Sequence, residues 1–168
     1  MFQRNDVVVY GGHGVCQIVD VEDKTIDGVN KSYFVLKPRA ERVATFYVPT
    51  WNEKAWVKMR KVMTKEEVNA LIDSMPNKIP LWISNENERK EACKEILASG
   101  DQAAMISMLQ ALFAHKKERE AEGKRLHVSD ERFMNDAEQL LYDEWQYVLN
   151  VDKAGLMDYI FSRVERNE

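Results

Sequence analysis

Hydrophobic and polar residues alternate with a period of two in the first part of the chain. The clearest case is residues 15–21, Val-Cys-Gln-Ile-Val-Asp-Val, where successive side chains fall on opposite faces of a strand. Residues 6–10, 32–36 and 44–48 form similar short runs, and residues 56–63 form a fifth. Asp27-Gly28 is a tight-turn signal between two of the runs. Five short strands in about 60 residues predict a small closed or nearly closed β-barrel.

From Thr64 onward the spacing of apolar residues becomes helical. Thr64 and Glu67 fit a capping box, and Pro76 ends the helix they begin, so residues 75–80 are predicted to form a linker. Later helices are predicted to start at Asn85 or Asn87, Asp101, Ser129 and Asp152. The pattern predicts an α+β chain of two domains, a β-barrel over residues 1–62 and an all-α helical domain over residues 63–168.

The charge balance changes which partners we expect. The 168 residues carry 24 Lys and Arg against 28 Asp and Glu, a net charge of −4, which argues against coating nucleic acid by bulk attraction.

Two cysteines cannot make a disulfide framework, and no apolar run approaches the roughly 20 residues of a membrane span. We therefore expect a cytoplasmic protein with no membrane partner.

Candidate catalytic chemistry is sparse. The loop Gly11-Gly12-His13-Gly14 precedes a predicted strand, whereas a phosphate-binding glycine turn leads into a helix, so we interpret it as a tight strand connection. His13 and Cys16 fall short of the three or four ligands of a zinc site, and no base is positioned to activate the thiol. We predict no catalytic residues, no metal, no cofactor and no enzymatic activity.

Two features suit nucleic acid, and each has a structural alternative. Lys116, Lys117 and Arg119 form the densest basic stretch, which either contacts phosphates or is a solvated helix end. Trp82 lies in an apolar segment shortly before Arg89 and Lys90. Its side chain either packs into the helical core or forms a wedge that inserts between bases.

The order of several short motifs resembles the CarD/CdnL family of bacterial transcription regulators across nearly the whole chain. These motifs are Asp-Val-Val-Val-Tyr-Gly-Gly-His-Gly at 6–14, Lys-Thr-Ile-Asp-Gly at 24–28, Tyr-Phe-Val-Leu-Lys at 33–37, Val-Pro at 48–49 and Leu-Ala-Ser-Gly-Asp at 97–101. The N-terminal half also resembles the RNA-polymerase-interacting domain of the transcription-repair coupling factor.

The resemblance implies an SH3/Tudor-like barrel that docks on the β subunit of RNA polymerase by adding a strand edge to it. The matching edge contains Thr45, Phe46 and Tyr47, and Lys24 matches a basic residue near that surface. Relatives often carry arginine where this chain has Tyr47, so a salt bridge at that point is replaced by aromatic contact area. We expect a monomer, with a strand-swapped dimer through the open barrel edge as the alternative.

The resemblance also implies that the helical domain contacts promoter DNA weakly, while the barrel is bound to polymerase, and tunes open-complex stability with a tryptophan wedge. The DNA-binding residues it suggests are Trp82, Arg89 and Lys90, followed by Lys116, Lys117 and Arg119. The wedge position itself holds Glu86, four residues after Trp82, so either Trp82 acts through a shifted loop or the wedge is lost. In the second case the chain is a protein-only interaction module that does not touch DNA.

Overall fold

The computed structural model describes residues 1–40, 43–75 and 82–167, and it divides into two compact units, Met1–Val62 and Met63–Glu168. Strands occupy the first unit and long helices the second, which confirms the predicted α+β class. The linker predicted at residues 75–80 falls almost entirely outside the described residues. No helix in the described part of the chain has the length and apolar character needed to cross a bilayer.

The N-terminal unit is a five-stranded antiparallel sheet in the order β4-β3-β2-β1-β5. Its strands are β1 Val7–Tyr10, β2 Val15–Ile26, β3 Val29–Pro38, β4 Phe46–Pro49 and β5 Met59–Lys61. Buried residues from all five strands pack into one cluster: Val8, Cys16, Ile18, Phe34, Leu36, Val48 and Met59. Because the two edge strands contribute to the same core, the sheet curls into a barrel-like shape.

A short helix, α1 (Glu53–Trp56), lies between β4 and β5, where a longer fifth strand was predicted. Asn52 caps α1 by accepting a hydrogen bond from the Lys54 backbone at 3.1 Å. The Trp56 indole donates to the Pro49 carbonyl at 2.9 Å, which ties α1 to the end of β4. The prediction of a strand over residues 56–63 is therefore correct only for Met59–Lys61.

The β2–β3 hairpin turns at Asp27 and Gly28, whose φ values of 53° and 76° both lie in the left-handed region. Two such residues in sequence are the geometry of a two-residue hairpin turn, as predicted. The predicted regular alternation along β2 is wrong at Val19, because the register with β3 shifts between Ile18 and Asp20. The extra residue is a β-bulge, which exchanges the two faces of the strand beyond it.

Five helices lie in the described part of the C-terminal unit: α2 Lys65–Asp73, α3 Glu86–Ser99, α4 Gln102–Ala121, α5 Val128–Leu149 and α6 Lys153–Asn167. The capping box of Thr64 and Glu67 is present, and Asn85 and Asp101 cap α3 and α4 with their side chains. Ser129 was predicted to cap α5, but that helix already begins at Val128, after His127. The prediction is wrong because Ser129 lies within the first turn, where its side chain is not at the N-cap position, and Leu126 and Asp130 on either side of it are buried.

Candidate binding surfaces

The outer edge of β4 presents unpaired backbone groups. Val35 lies opposite Tyr47 in the β3–β4 ladder, and beyond the end of that ladder the Thr50 amide donates to the Ser32 carbonyl at 3.1 Å. Hydrogen-bonded and non-hydrogen-bonded pairs alternate in an antiparallel ladder, so the Tyr47 amide and carbonyl point away from β3. Among the described strands, no second neighbour pairs with β4. Tyr47 therefore offers one donor and one acceptor to a strand that adds to this edge.

Side chains on this edge divide into an outward and an inward set. Tyr47 is 45% exposed, and the Lys24 ammonium lies 3.3 Å from its ring centroid, a cation–π contact that joins two predicted site residues. Phe46 instead faces inward, where its ring lies 4.3 Å from the His13 ring and packs against the barrel core. Thr45 is exposed and precedes β4. Tyr47 and Thr45 are thus exposed and Lys24 lies half-buried beside the Tyr47 ring, whereas Phe46 holds the strand in place.

A second lysine–aromatic pair extends this surface, and the sequence interpretation missed it. Lys31 lies directly opposite Lys24 in the β2–β3 ladder, and its ammonium lies 4.7 Å from the ring centroid of exposed Trp51. The two-residue turn at Asp27-Gly28 already fixes this register, so counting outward from the turn would have found the pair. We call Lys24, Lys31, Tyr47 and Trp51 the lysine–aromatic face.

In the helical unit, Trp82 lies beside the basic stretch of α4. Its ring stacks on His115 with centroids 3.8 Å apart and an interplanar angle of 21°. Trp82 is half-buried and also packs against the helical core. The structure thus joins Trp82 to the part of α4 that carries Lys116, Lys117 and Arg119, although these features are more than 30 residues apart in sequence.

The basic residues near Trp82 differ in how much of their charge is available. Lys90 pairs with Glu86 at 2.7 Å, and this ammonium lowers the pKa of the Glu86 carboxyl. Arg119 donates from Nε to the Arg125 carbonyl at 2.6 Å, while Lys117 is exposed. Lys117 is therefore the cation of this stretch best placed to meet a phosphate, whereas Lys116 is half-buried.

Arg89, predicted to contact DNA, lies inside the helical unit. It is only 5% exposed, and its Nε and Nη2 atoms donate to the two carboxylate oxygens of Asp130 at 2.8 and 2.9 Å. Its Nη1 donates to the Ile83 carbonyl at 3.0 Å. Because these donors are used within the unit, the guanidinium does not present itself to an outside phosphate.

Both cysteines are buried, Cys16 in the barrel core and Cys93 on α3 in the helical unit. Burial raises the pKa of the Cys93 thiol to about 11, and the nearby Asp130 carboxylate adds to the effect. A thiol with this pKa stays protonated at neutral pH, which makes it a weak nucleophile. Within the described ranges, no three or more His, Cys, Asp or Glu side chains are grouped to hold a metal ion.

Comparison with known protein families identifies the first unit. Residues 2–63 match the family model of the CarD-like/TRCF RID domain. The match spans the sheet from β1 to β5, including the outer edge of β4 and the lysine–aromatic face. It confirms, over these residues, the resemblance predicted from the sequence motifs.

Proposed function

We propose, on the premise that residues 2–63 are a CarD-like/TRCF RID domain, that this protein is a transcription regulator that binds RNA polymerase. The family match supports a polymerase-interacting role. We propose further that the outer edge of β4 docks on the polymerase β subunit and that the helical unit contacts promoter DNA around Trp82. The protein then tunes the stability of the open complex without a catalytic step of its own.

The outward direction of the Tyr47 backbone carries the docking proposal. A strand added to a sheet edge gains affinity from main-chain hydrogen bonds and selectivity from neighbouring side chains. Tyr47 supplies the backbone donor and acceptor, and Lys24 holds a positive charge against its ring. Pro49, two residues along the same edge, has no amide to donate, so the capacity to pair is concentrated at Tyr47.

The substitution Tyr47→Pro tests this edge directly. It removes an amide that does not bond β3, so the sheet is expected to keep its thermal midpoint while binding to RNA polymerase is lost. Tyr47→Ala keeps the amide and removes the ring, and it should weaken binding only in part. Binding is measured by retention of polymerase core enzyme on the immobilised full chain.

The matched control is Lys61→Pro, on the opposite edge of the same sheet. The Gly11 amide donates to the Lys58 carbonyl at 2.7 Å, so by the same alternation the Lys61 amide points away from β1. Lys61→Pro is expected to bind polymerase as the unchanged chain does. Equal binding by Tyr47→Pro and Lys61→Pro would show that β4 is not the docking edge.

The DNA part of the proposal needs polymerase as an anchor. Residues 77–168 carry 13 Lys and Arg against 18 Asp and Glu, a net charge of about −5, which opposes binding to free DNA. A barrel bound to polymerase raises the local concentration of the helical unit at the promoter to roughly millimolar. A wedge side chain must then offset only the few kcal/mol, in order of magnitude, of unstacking one base step.

Open-complex lifetime on a ribosomal-type promoter, measured with polymerase from the host, tests this part. The unchanged chain should lengthen the lifetime, and Trp82→Ala should not. Phe161→Ala removes an exposed aromatic ring from α6 of the same unit and should behave as the unchanged chain. A Trp82→Ala protein that lengthens the lifetime fully would contradict a role for Trp82.

A protein-only interaction module is the second candidate function. Its support is that the Trp82 ring stacks on His115 of its own unit and that Lys90 is paired with Glu86. This candidate predicts a chain that binds polymerase yet leaves the DNA footprint of the polymerase–promoter complex unchanged. A footprint extended at the upstream edge of the melted region would favour DNA contact instead.

A further inference from the structure

The ion pair between Arg89 of α3 and Asp130 of α5 is the most deeply buried charged pair in the described part of the helical unit. Asp130 is fully buried, and its two carboxylate oxygens accept two parallel hydrogen bonds from the Arg89 guanidinium. This bidentate geometry fixes the guanidinium plane as well as its position. The pair joins residues 41 positions apart in sequence.

The same guanidinium reaches the segment that carries Trp82. Arg89 Nη1 donates to the carbonyl of Ile83 at 3.0 Å and more weakly to that of Ser84 at 3.4 Å. Its central carbon lies 4.5 Å from the Trp82 ring centroid. Arg89 thus contacts both the ring of Trp82 and the backbone that immediately follows it.

Stability alone does not account for such a pair. A buried ion pair recovers little more than its desolvation cost, and well-packed apolar residues of similar volume are often as stabilising. Apolar side chains could fill the same space between α3 and α5, but they could not bind two carbonyls and the face of a ring at once. Those additional contacts of Arg89 all converge on residues 82–84.

We infer that Arg89 and Asp130 are positioning residues, which hold Trp82 against His115 at the end of the basic stretch of α4. Asp130 orients the guanidinium, and the guanidinium orients the ring and the backbone after it. This role replaces direct phosphate contact by Arg89. The inference rests on the proposed function only in so far as the held ring then contacts promoter DNA.

The position of Trp82 has a direct readout in the full chain, which contains four tryptophans. Each indole N–H gives one cross-peak in a ¹H–¹⁵N correlation spectrum, and Trp82→Ala assigns the peak of interest by its loss. Asp130→Asn and Arg89→Lys are expected to shift or broaden the Trp82 peak because they break the fork that orients the guanidinium. The peaks of Trp51 and Trp56, in the other unit, should stay in place.

A double-mutant cycle on open-complex lifetime then links the pair to Trp82. Asp130→Asn should abolish the same part of the increase in open-complex lifetime that Trp82→Ala abolishes. The double variant should lose no more of this increase than Trp82→Ala alone. Lys90→Ala, one residue from Arg89 and on the surface, is the control and should add its effect independently.

Asp130→Asn leaves the positive charge of the buried Arg89 guanidinium without its carboxylate partner. If the single variants unfold, the double variant Arg89→Met/Asp130→Leu is used instead, because it removes both charges. It should retain the thermal midpoint within a few degrees and still displace the Trp82 peak. An unmoved Trp82 peak in folded variants, or additive losses of lifetime, would overturn the inference. If Trp82→Ala itself leaves the lifetime unchanged, the DNA proposal fails while the Trp82 peak alone still decides whether the pair positions the ring.

Discussion

A chain of buried hydrogen bonds around Glu144 should make the helical unit sensitive to substitution of this residue. Glu144 is 1% exposed; one carboxylate oxygen accepts from the Met63 amide at 2.8 Å, and the other accepts from the Gln102 side-chain amide. The Gln102 carbonyl in turn accepts from the Trp145 indole at 2.9 Å. Three donors thus meet three acceptor atoms, and both acceptors of Glu144 are used.

The substitution Glu144→Gln keeps the shape of the side chain and replaces one acceptor by a donor. The new side chain can still accept from the Met63 amide, but its own amide then faces the amide of Gln102. If Gln102 rotates to accept from it, the Trp145 indole faces a donor instead. Both of these arrangements leave a buried donor facing another donor and lose a bond to a charged acceptor, which costs about 1–3 kcal/mol for the unpaired group.

Urea unfolding of the full chain, followed by far-ultraviolet circular dichroism, measures the effect on the helices. With a urea dependence of roughly 1–3 kcal/mol per molar, a loss of about 2 kcal/mol shifts the midpoint of the helical transition by about 1 M. Glu138→Gln, on the same helix and only half-buried, is the control and should shift it little. Equal midpoints for Glu144→Gln and Glu138→Gln would show that the hydrogen bonds of Glu144 do not stabilise the helical unit by this amount.

Two further predictions concern one residue in each unit. Because burial raises the pKa of the Cys93 thiol to about 11, the folded state holds the thiol proton more tightly than the unfolded chain does. The stability that the protonated thiol contributes is therefore complete below about pH 9 and is lost between pH 9 and 11. Cys93→Ala should lose less of its unfolding free energy over that range, and a decline as steep as that of the unchanged chain would contradict the assignment. In the barrel, Gly28→Ala places a Cβ at a φ of 76° with no atom within 4 Å of it, so only the backbone cost of about 1–2 kcal/mol applies. Thermal melting should show a lower midpoint for Gly28→Ala and almost none of that loss for Gly28→Asn, since asparagine tolerates this conformation.

The elements predicted correctly are those whose signals lie within a few residues. The turn at Asp27-Gly28 needs only two residues with positive φ, and the capping box needs only Thr64 and Glu67. Apolar spacing likewise places Trp145 on the buried face of α5. In each case the energy of the local structure depends on neighbours that the sequence itself brings together.

Predictions from neighbouring residues were wrong at positions that make contacts with distant parts of the chain. The segment before β5 forms α1, whose last residue Trp56 donates a hydrogen bond to the Pro49 carbonyl. Helix α5 begins before its expected cap, between the buried residues Leu126 and Asp130. The resemblance implies that Arg89 contacts DNA, yet its guanidinium is buried in an ion pair with Asp130.

Residue patterns are therefore sufficient to predict the two classes of secondary structure, the hairpin register and the resemblance that points to RNA polymerase. The outward direction of the Tyr47 backbone groups, the position of Lys24 over Tyr47 and the contact of Trp82 with α4 are seen only in the folded units. They depend on burial and ion pairing, and these depend on which parts of the chain meet in space. Spacing along the chain sets periodicity, whereas the exposure of a charge or a ring is a property of the packed unit.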